Sequence, residues 1–149
     1  MGEEPAESAD VLLVEDNPGD VRLVQEAFAT GSTGSTLHVV DNGVDALDFC
    51  FRRGTYADAP RPDIVLLDLN LPRKDGDEVL GAMRADPDLK LIPVVVLTSS
   101  AVEEDVTRAY DRHVNAYLTK PVDPVTFIET IHSFEQFWLS TARLPKPER

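Results

Sequence analysis

Five short runs of mostly apolar residues recur along the chain, and each is followed by polar or turn-forming residues. Runs of this length, bounded in this way, are typical of buried β-strands. The predicted strands lie at residues 11–14, 37–40, 64–67, 94–97 and 115–118. The run at 64–67 is apolar at every position, which indicates a central strand covered on both faces of a parallel sheet.

The segments between these runs carry apolar residues at the three- and four-residue spacing of amphipathic helices. Helices are predicted after Pro18, after Gly43, at 76–85, at 102–112 and from Pro124 to about residue 141. Five strands alternating with five helices predict an α/β domain, a doubly wound parallel sheet with helices on both faces. We assign it to residues 10–142, between an acidic tail at 1–9 and a C-terminal tail at 143–149.

The charge of the chain narrows the classes of function. Its 149 residues include 27 acidic and 14 basic side chains, for a formal net charge of −13. Nucleic acids and anionic membranes are both bound through basic surfaces, so we expect neither as a partner. An acidic excess suits a high-salt cytoplasm, although an ordinary acidic protein has the same composition.

The sequence lacks the segments that would direct a protein into or across a membrane. No apolar run approaches the roughly 20 residues of a membrane span. The acidic first ten residues do not resemble a secretory signal. We therefore expect a cytoplasmic protein. Cys50 is the only cysteine, which excludes an internal disulfide and a thiolate metal cage.

Reactive side chains stand at the carboxyl ends of the predicted strands. Glu15 and Asp16 follow the first strand, Asp68 the third and Thr98 the fourth, and Lys120 lies just beyond the fifth. These ends meet at one edge of a parallel sheet, where α/β proteins bind their ligands. Carboxylates without histidine or cysteine favour Mg²⁺, with Mn²⁺ as the alternative. One carboxylate could then act as a nucleophile toward a phosphoryl group, whose oxygens Lys120 and Thr98 would contact.

Five motifs around these residues together resemble the receiver domain of two-component response regulators. They are Leu-Val-Glu-Asp-Asn at 13–17, Leu-Leu-Asp-Leu-Asn-Leu-Pro at 66–72, Lys-Asp-Gly at 74–76, Val-Leu-Thr-Ser at 96–99 and Tyr-Leu-Thr-Lys-Pro at 117–121. Each is weak alone, but their order is specific, as are the spacings of 52, 30 and 22 residues from Asp16 through Asp68 and Thr98 to Lys120. The resemblance implies a flavodoxin-like sheet with strand order 2-1-3-4-5.

The resemblance also implies a role for each residue at the acidic end of the site. Asp68 would be the phosphoacceptor. Asp16 would bind Mg²⁺ directly, Glu15 through water and Asn70 through its backbone carbonyl. The protein would take up the phosphoryl group by its own chemistry and hydrolyse it slowly, without acting as an enzyme on a separate substrate.

Other positions match the residues with which receivers respond to phosphorylation. The resemblance implies that Thr98 contacts the phosphoryl group in the active form and that Lys120 pairs with it. Tyr117 would be the aromatic side chain that swings inward when Thr98 moves. Pro121 would follow Lys120 in a cis peptide.

The resemblance is closest to small stand-alone regulators that pair with phytochrome-like sensor kinases, as indicated by residues 56–63, 69–76 and 137–141. It implies that a sensor histidine kinase supplies the phosphoryl group and that output is contact with another protein or onward phosphotransfer. One alternative is a phosphatase of the haloacid dehalogenase class, but the DxD pattern of that class has a second aspartate where this chain has Asn70. Another is a histidine phosphotransfer module that uses His132, which would need an all-helical bundle.

The end of the final predicted helix is unusually apolar. At about 100° per residue, Phe127, Ile131, Phe134 and Trp138 share one face, which we interpret as the core stripe. Phe137 falls off this stripe, and a large ring outside the core indicates an interface. We therefore expect a symmetric homodimer through this helix. The alternative is that Phe137 packs under the loop before the tail.

Overall fold

A single five-stranded sheet organises the molecule. A computed structural model describes residues 9–31, 34–99, 114–141 and 144–145. All strand pairs are parallel, and the order β2-β1-β3-β4-β5 confirms the predicted topology. The strands are β1 (Asp10–Val14), β2 (Thr36–Val40), β3 (Ile64–Leu67), β4 (Val94–Thr98) and β5 (Ala116–Thr119). Each boundary lies within one residue of its predicted position.

Four α-helices within the described residues flank this sheet. They are α1 (Pro18–Thr30), α2 (Gly43–Phe51), α3 (Gly76–Ala85) and α4 (Pro124–Phe134). The fifth predicted helix, at 102–112, lies outside the described residues. All four helices begin after an asparagine or aspartate whose side chain accepts hydrogen bonds from the first turn: Asn17, Asn42, Asp75 and Asp123. Such caps fix where each helix begins relative to the strand before it.

The strand residues alternate between two apolar cores, one on each face of the sheet. Leu12 and Val65 belong to the core beneath α2 and α3, whereas Val11 and Leu66 belong to the core beneath α1 and α4. All four side chains are fully buried. This is the period-two pattern of a strand covered on both faces, and it explains why the run at 64–67 is apolar throughout.

The C-terminal helix departs from the predicted winding. It is α-helical only to Phe134 and continues as a π-helical segment, Glu135–Thr141. Leu139 packs against the core beneath α1 and α4, although α-helical spacing places it off the core stripe. A π-helix bonds each residue to the fifth one along, so side chains beyond Phe134 point in other directions than an α-helix would give them. Leu144 also packs against this core.

His132 joins α4 to α1. Its Nε2 lies 3.0 Å from the Ala27 carbonyl oxygen and 3.0 Å from Thr30 Oγ1. The presence of a parallel sheet excludes the all-helical phosphotransfer module. Within the described residues, no helix is long and apolar enough to cross a membrane.

Candidate functional site

Backbone hydrogen bonds align the strand ends that carry the predicted site. The Asp68 N–H donates to the Val14 carbonyl at 3.0 Å, which places Asp68 beside the end of β1. The Lys120 N–H donates to the Thr98 carbonyl at 2.8 Å, which aligns β5 with β4. The carboxyl ends of four strands therefore meet at one edge of the sheet, as predicted.

Three carboxylates at this edge form a compact group, which we call the acidic cluster: Glu15, Asp16 and Asp68. Each offers an oxygen, and these oxygens all lie within 4.8 Å of one another. Glu15 is 1% and Asp68 5% exposed, whereas Asp16 faces solvent. Burial, together with the charge of Asp68, raises the pKa of Glu15 to about 7. Crowded oxygen ligands with one open side fit a hard divalent cation.

Lys120 balances part of this negative charge. Its Nζ lies 2.7 Å from Glu15 Oε2, 3.0 Å from Asp68 Oδ2 and 2.9 Å from Asp20 Oδ2. Burial alone would lower the pKa of Lys120, but these three hydrogen bonds raise it overall. The ammonium is therefore charged and fixed beside the predicted phosphoacceptor.

Asp20 is the site residue that the sequence analysis missed. It lies in the first turn of α1 rather than at a strand end, so an inspection of strand ends does not find it. The available signal was the acidic residue at position 20, shortly after those at 15 and 16, which places a further carboxylate in the first turn of the helix.

Asn70 and Thr98 meet next to the acidic cluster. The Asn70 N–H donates to Asp68 Oδ1 at 3.0 Å, and its side-chain amide donates to Thr98 Oγ1 at 3.4 Å. Thr98 is fully buried, and Tyr117 is partly buried against the core beneath α2 and α3. The metal contact of the Asn70 carbonyl and the inward swing of Tyr117 stay predictions.

The expectation of a cis peptide before Pro121 is wrong, because the described residues contain no cis peptide bond. The trans form of such a bond is favoured by about 0.5–1 kcal/mol. In this form the Lys120 N–H still reaches Thr98, and its ammonium still reaches the acidic cluster.

Two glycines, Gly43 and Gly76, leave room for the backbone of Asp68 and of the loop that follows it. A side chain at Gly76 would place its Cβ 2.6 Å from Leu69 Cα and 2.7 Å from the Asp68 carbonyl oxygen. A side chain at Gly43 would overlap the Lys74 carbonyl. The starts of α2 and α3 therefore lie against the loop that carries the predicted phosphoacceptor.

Comparison with known proteins identifies the family. The family model described as "Response regulator receiver domain" matches residues 11–132. The response regulator Rcp1 of Synechocystis sp. is 47% identical over 135 residues, which cover 91% of this chain and 92% of Rcp1.

Two solved structures are similar over nearly the whole chain. The phosphorylated cyanobacterial phytochrome response regulator RcpA superposes with a TM-score of 0.91 at 46% identity, covering 94% of this chain and all of RcpA (100%). The Mn²⁺-bound form of Rcp1 gives a TM-score of 0.89 at 46% identity, covering 93% of this chain and 99% of Rcp1. The chain belongs to the response regulator receiver family and is a signalling protein of two-component systems, related to the phytochrome response regulators.

Proposed function

We propose that Asp68 accepts a phosphoryl group from the phosphorylated histidine of a sensor kinase, in a reaction that requires Mg²⁺. The observation that carries this proposal is the position of the buried Asp68 carboxylate. On one side lie the carboxylate oxygens of Glu15 and Asp16, which could bind a metal ion, and on the other lies the ammonium of Lys120. Bound at Glu15, Asp16 and Asp68, Mg²⁺ would neutralise charge on the phosphoryl oxygens.

The transfer needs one bond made and one broken. A carboxylate oxygen of Asp68 attacks phosphorus, the P–N bond to the kinase histidine breaks, and its electron pair returns to the imidazole nitrogen. Lys120, held 3.0 Å from Asp68 Oδ2, contacts the incoming phosphoryl oxygens. Asn70 lacks the carboxylate with which a phosphatase of the haloacid dehalogenase class would protonate a leaving group.

The kinase partner that we propose is phytochrome-like. The support is the similarity of this chain, over 94% of its residues, to RcpA, a cyanobacterial phytochrome response regulator. We propose a cytoplasmic location, since the phosphoryl group of such a kinase comes from ATP.

Phosphorylation by a small donor tests the acceptor. Acetyl phosphate with Mg²⁺ should add one phosphoryl group, measured by intact mass or retardation on a phosphate-affinity gel. Asp68→Asn should abolish the addition, because an amide is not a nucleophile here, and a chelator should abolish it in the wild type. Asp58→Asn removes an equal charge from an exposed position and should be labelled normally. Labelling of Asp68→Asn to the wild-type extent would refute the assignment.

Thr98 and Tyr117 are proposed to carry the response. The Thr98 hydroxyl oxygen accepts from the Asn70 amide, and a phosphoryl group would offer the Thr98 O–H an acceptor that draws this side chain toward Asp68. The ring of Tyr117 then fills the space that Thr98 leaves. Thr98→Ala should still be phosphorylated but should lose phosphorylation-dependent binding to a partner. Unchanged binding would remove Thr98 from the mechanism.

We also propose a homodimer through the end of the final helix. Phe137 is 53% exposed, and its ring meets Trp138 edge-on with the centroids 5.1 Å apart. A second copy of the chain would cover this ring. Phe137→Glu should convert a dimer into a monomer in light scattering while Asp68 is still phosphorylated. Leu91→Glu places the same charge at another exposed apolar residue and should stay dimeric. A monomeric wild type at tens of micromolar, phosphorylated or not, would contradict the dimer.

A further inference from the structure

We propose that Asp20 is a positioning residue for phosphoryl transfer, which holds the Lys120 ammonium beside Asp68 when the other carboxylates bind metal. This inference rests on the proposed phosphorylation of Asp68. It starts from the hydrogen bond between Lys120 Nζ and Asp20 Oδ2, which is 2.9 Å long and joins residues 100 positions apart.

The hydrogen-bonding capacity of Lys120 is fully used. An ammonium has three N–H donors, and Lys120 directs them at three carboxylates on Glu15, Asp20 and Asp68. Only 9% of the Lys120 side chain is exposed, which leaves little room for water as a substitute acceptor. Loss of one carboxylate therefore has to be compensated by the other two.

The three carboxylate partners of Lys120 differ in their other contacts. Glu15 and Asp68 also belong to the acidic cluster, whose oxygens lie within 4.8 Å of one another. Asp20 is outside that cluster and has 23% of its side chain exposed. When a divalent cation draws the oxygens of Glu15 and Asp68 toward itself, Asp20 is the partner that Lys120 keeps.

Both ends of this ion pair are also held by hydrogen bonds that do not involve the carboxylates of the acidic cluster. Asn17 Oδ1 accepts the Asp20 N–H at 3.1 Å and the Gly19 N–H at 2.9 Å, so the first turn of α1 is capped. The Lys120 N–H is bonded to the Thr98 carbonyl at 2.8 Å. The pair thus joins the first turn of α1 to the residue that follows β5.

Removal of the Asp20 carboxylate should have two consequences. Lys120 would have only Glu15 and Asp68 as carboxylate partners, and it would compete with Mg²⁺ for their oxygens. The ammonium would also lose the contact that holds it in place while a phosphoryl group arrives on Asp68. Both weaker Mg²⁺ binding and slower transfer at saturating Mg²⁺ should follow.

The alternative role for Asp20 is favourable interaction with the helix dipole, since acidic residues in a first turn stabilise a helix. That role would affect unfolding and not the transfer step. It predicts the same transfer rate for every variant that stays folded.

The test measures the rate of phosphorylation of the full chain by acetyl phosphate as a function of Mg²⁺ concentration. Asp20→Asn should lower the rate at saturating Mg²⁺ about tenfold, the effect of about 1.4 kcal/mol on a barrier. It should also raise the Mg²⁺ concentration for half-maximal rate. Asp20→Glu, which restores a carboxylate, should recover most of the rate.

Two controls make the result specific. Glu26→Gln removes one exposed carboxylate from the same helix and should behave as wild type. Asp20→Ser also removes the carboxylate and leaves the Asn17 cap in place, and it should reproduce the loss if Asp20→Asn does not fold. Wild-type rates and Mg²⁺ dependence in folded Asp20→Asn or Asp20→Ser, or equal losses in Asp20→Glu, would overturn the role of Asp20. Absence of labelling in the wild type would instead overturn the proposed function.

Discussion

The two edges of the sheet use polar side chains in opposite ways. At the amino edge, where the strands begin, several polar side chains bond to the backbone, and the Asp10 carboxylate lies 3.0 Å from His38 Nε2. Asp63 Oδ2 accepts the Asp10 N–H at 2.8 Å, and Asn115 Oδ1 accepts the Val94 N–H at 2.9 Å. Arg84 donates to the carbonyls of Lys90 and Ile92, both at 3.0 Å. Each of these contacts fastens a loop or a strand start to its neighbour.

At the carboxyl edge, the charged side chains face one another instead. Glu15, Asp16 and Asp68 crowd together, and a single ammonium on Lys120 contacts two of them as well as Asp20. Four carboxylates against one cation leave a local excess of negative charge, which costs stability unless another cation binds. The amino edge is built for stability, whereas the carboxyl edge is built for a cation and a phosphoryl group.

Binding of Mg²⁺ at the carboxyl edge should produce the largest change in stability. At a hundred times its Kd, Mg²⁺ should stabilise the wild type by about 2.7 kcal/mol, since it binds only the folded state. Asp16→Asn should lose most of this gain, but without metal it should melt no lower than the wild type, because it removes repulsion from the acidic cluster. Thermal unfolding with and without Mg²⁺ measures both effects, with Asp58→Asn as the control. An equal Mg²⁺ response in Asp16→Asn would contradict the metal assignment.

A substitution at the amino edge should lower stability and leave phosphorylation intact. Asn115→Ala leaves the buried Val94 N–H without its acceptor and should cost about 1–3 kcal/mol in the free energy of unfolding. Phosphorylation by acetyl phosphate should be retained. Urea unfolding gives the first quantity, and Asn115→Asp, which keeps an acceptor oxygen, should lose less stability than Asn115→Ala. A phosphorylation defect larger than the fraction unfolded would show that the two edges are coupled.

Salt should have the smallest effect and should act mainly at the carboxyl edge. The net charge of −13 repels itself in dilute buffer, and molar KCl screens charges over about 3 Å. We expect the melting temperature of the metal-free protein to rise by a few degrees from dilute buffer to molar KCl, and to rise less in Asp16→Asn. A flat or falling curve would favour an ordinary acidic protein over one adapted to high salt.

The three central strands were predictable because a central parallel strand is buried on both faces. Its sequence is a continuous apolar run such as 64–67, and the run ends where the strand ends. The π-helical winding after Phe134 was not predictable in this way. Periodicity assumes a constant angle per residue, but the winding changes at Glu135, before Trp138 and Leu139 pack against the core.

The site was predictable as far as topology alone decides it. Glu15, Asp68 and Lys120 lie together because they follow parallel strands that are neighbours in the order β1-β3-β4-β5. Asp20 was missed because its position depends on the direction in which α1 leaves β1. That direction is set by the Asn17 cap, whose geometry the order of residues does not give.

The lack of side chains at Gly43 and Gly76 has a consequence for genetics. Any other residue there would displace Lys74 or the backbone of Asp68 and Leu69, although neither glycine offers a group to a phosphoryl oxygen or a cation. A screen for alleles that abolish signalling should therefore recover changes at both glycines alongside changes at Asp68. Such alleles would map the space that the phosphoacceptor loop occupies, and they should not be taken as the footprint of a kinase.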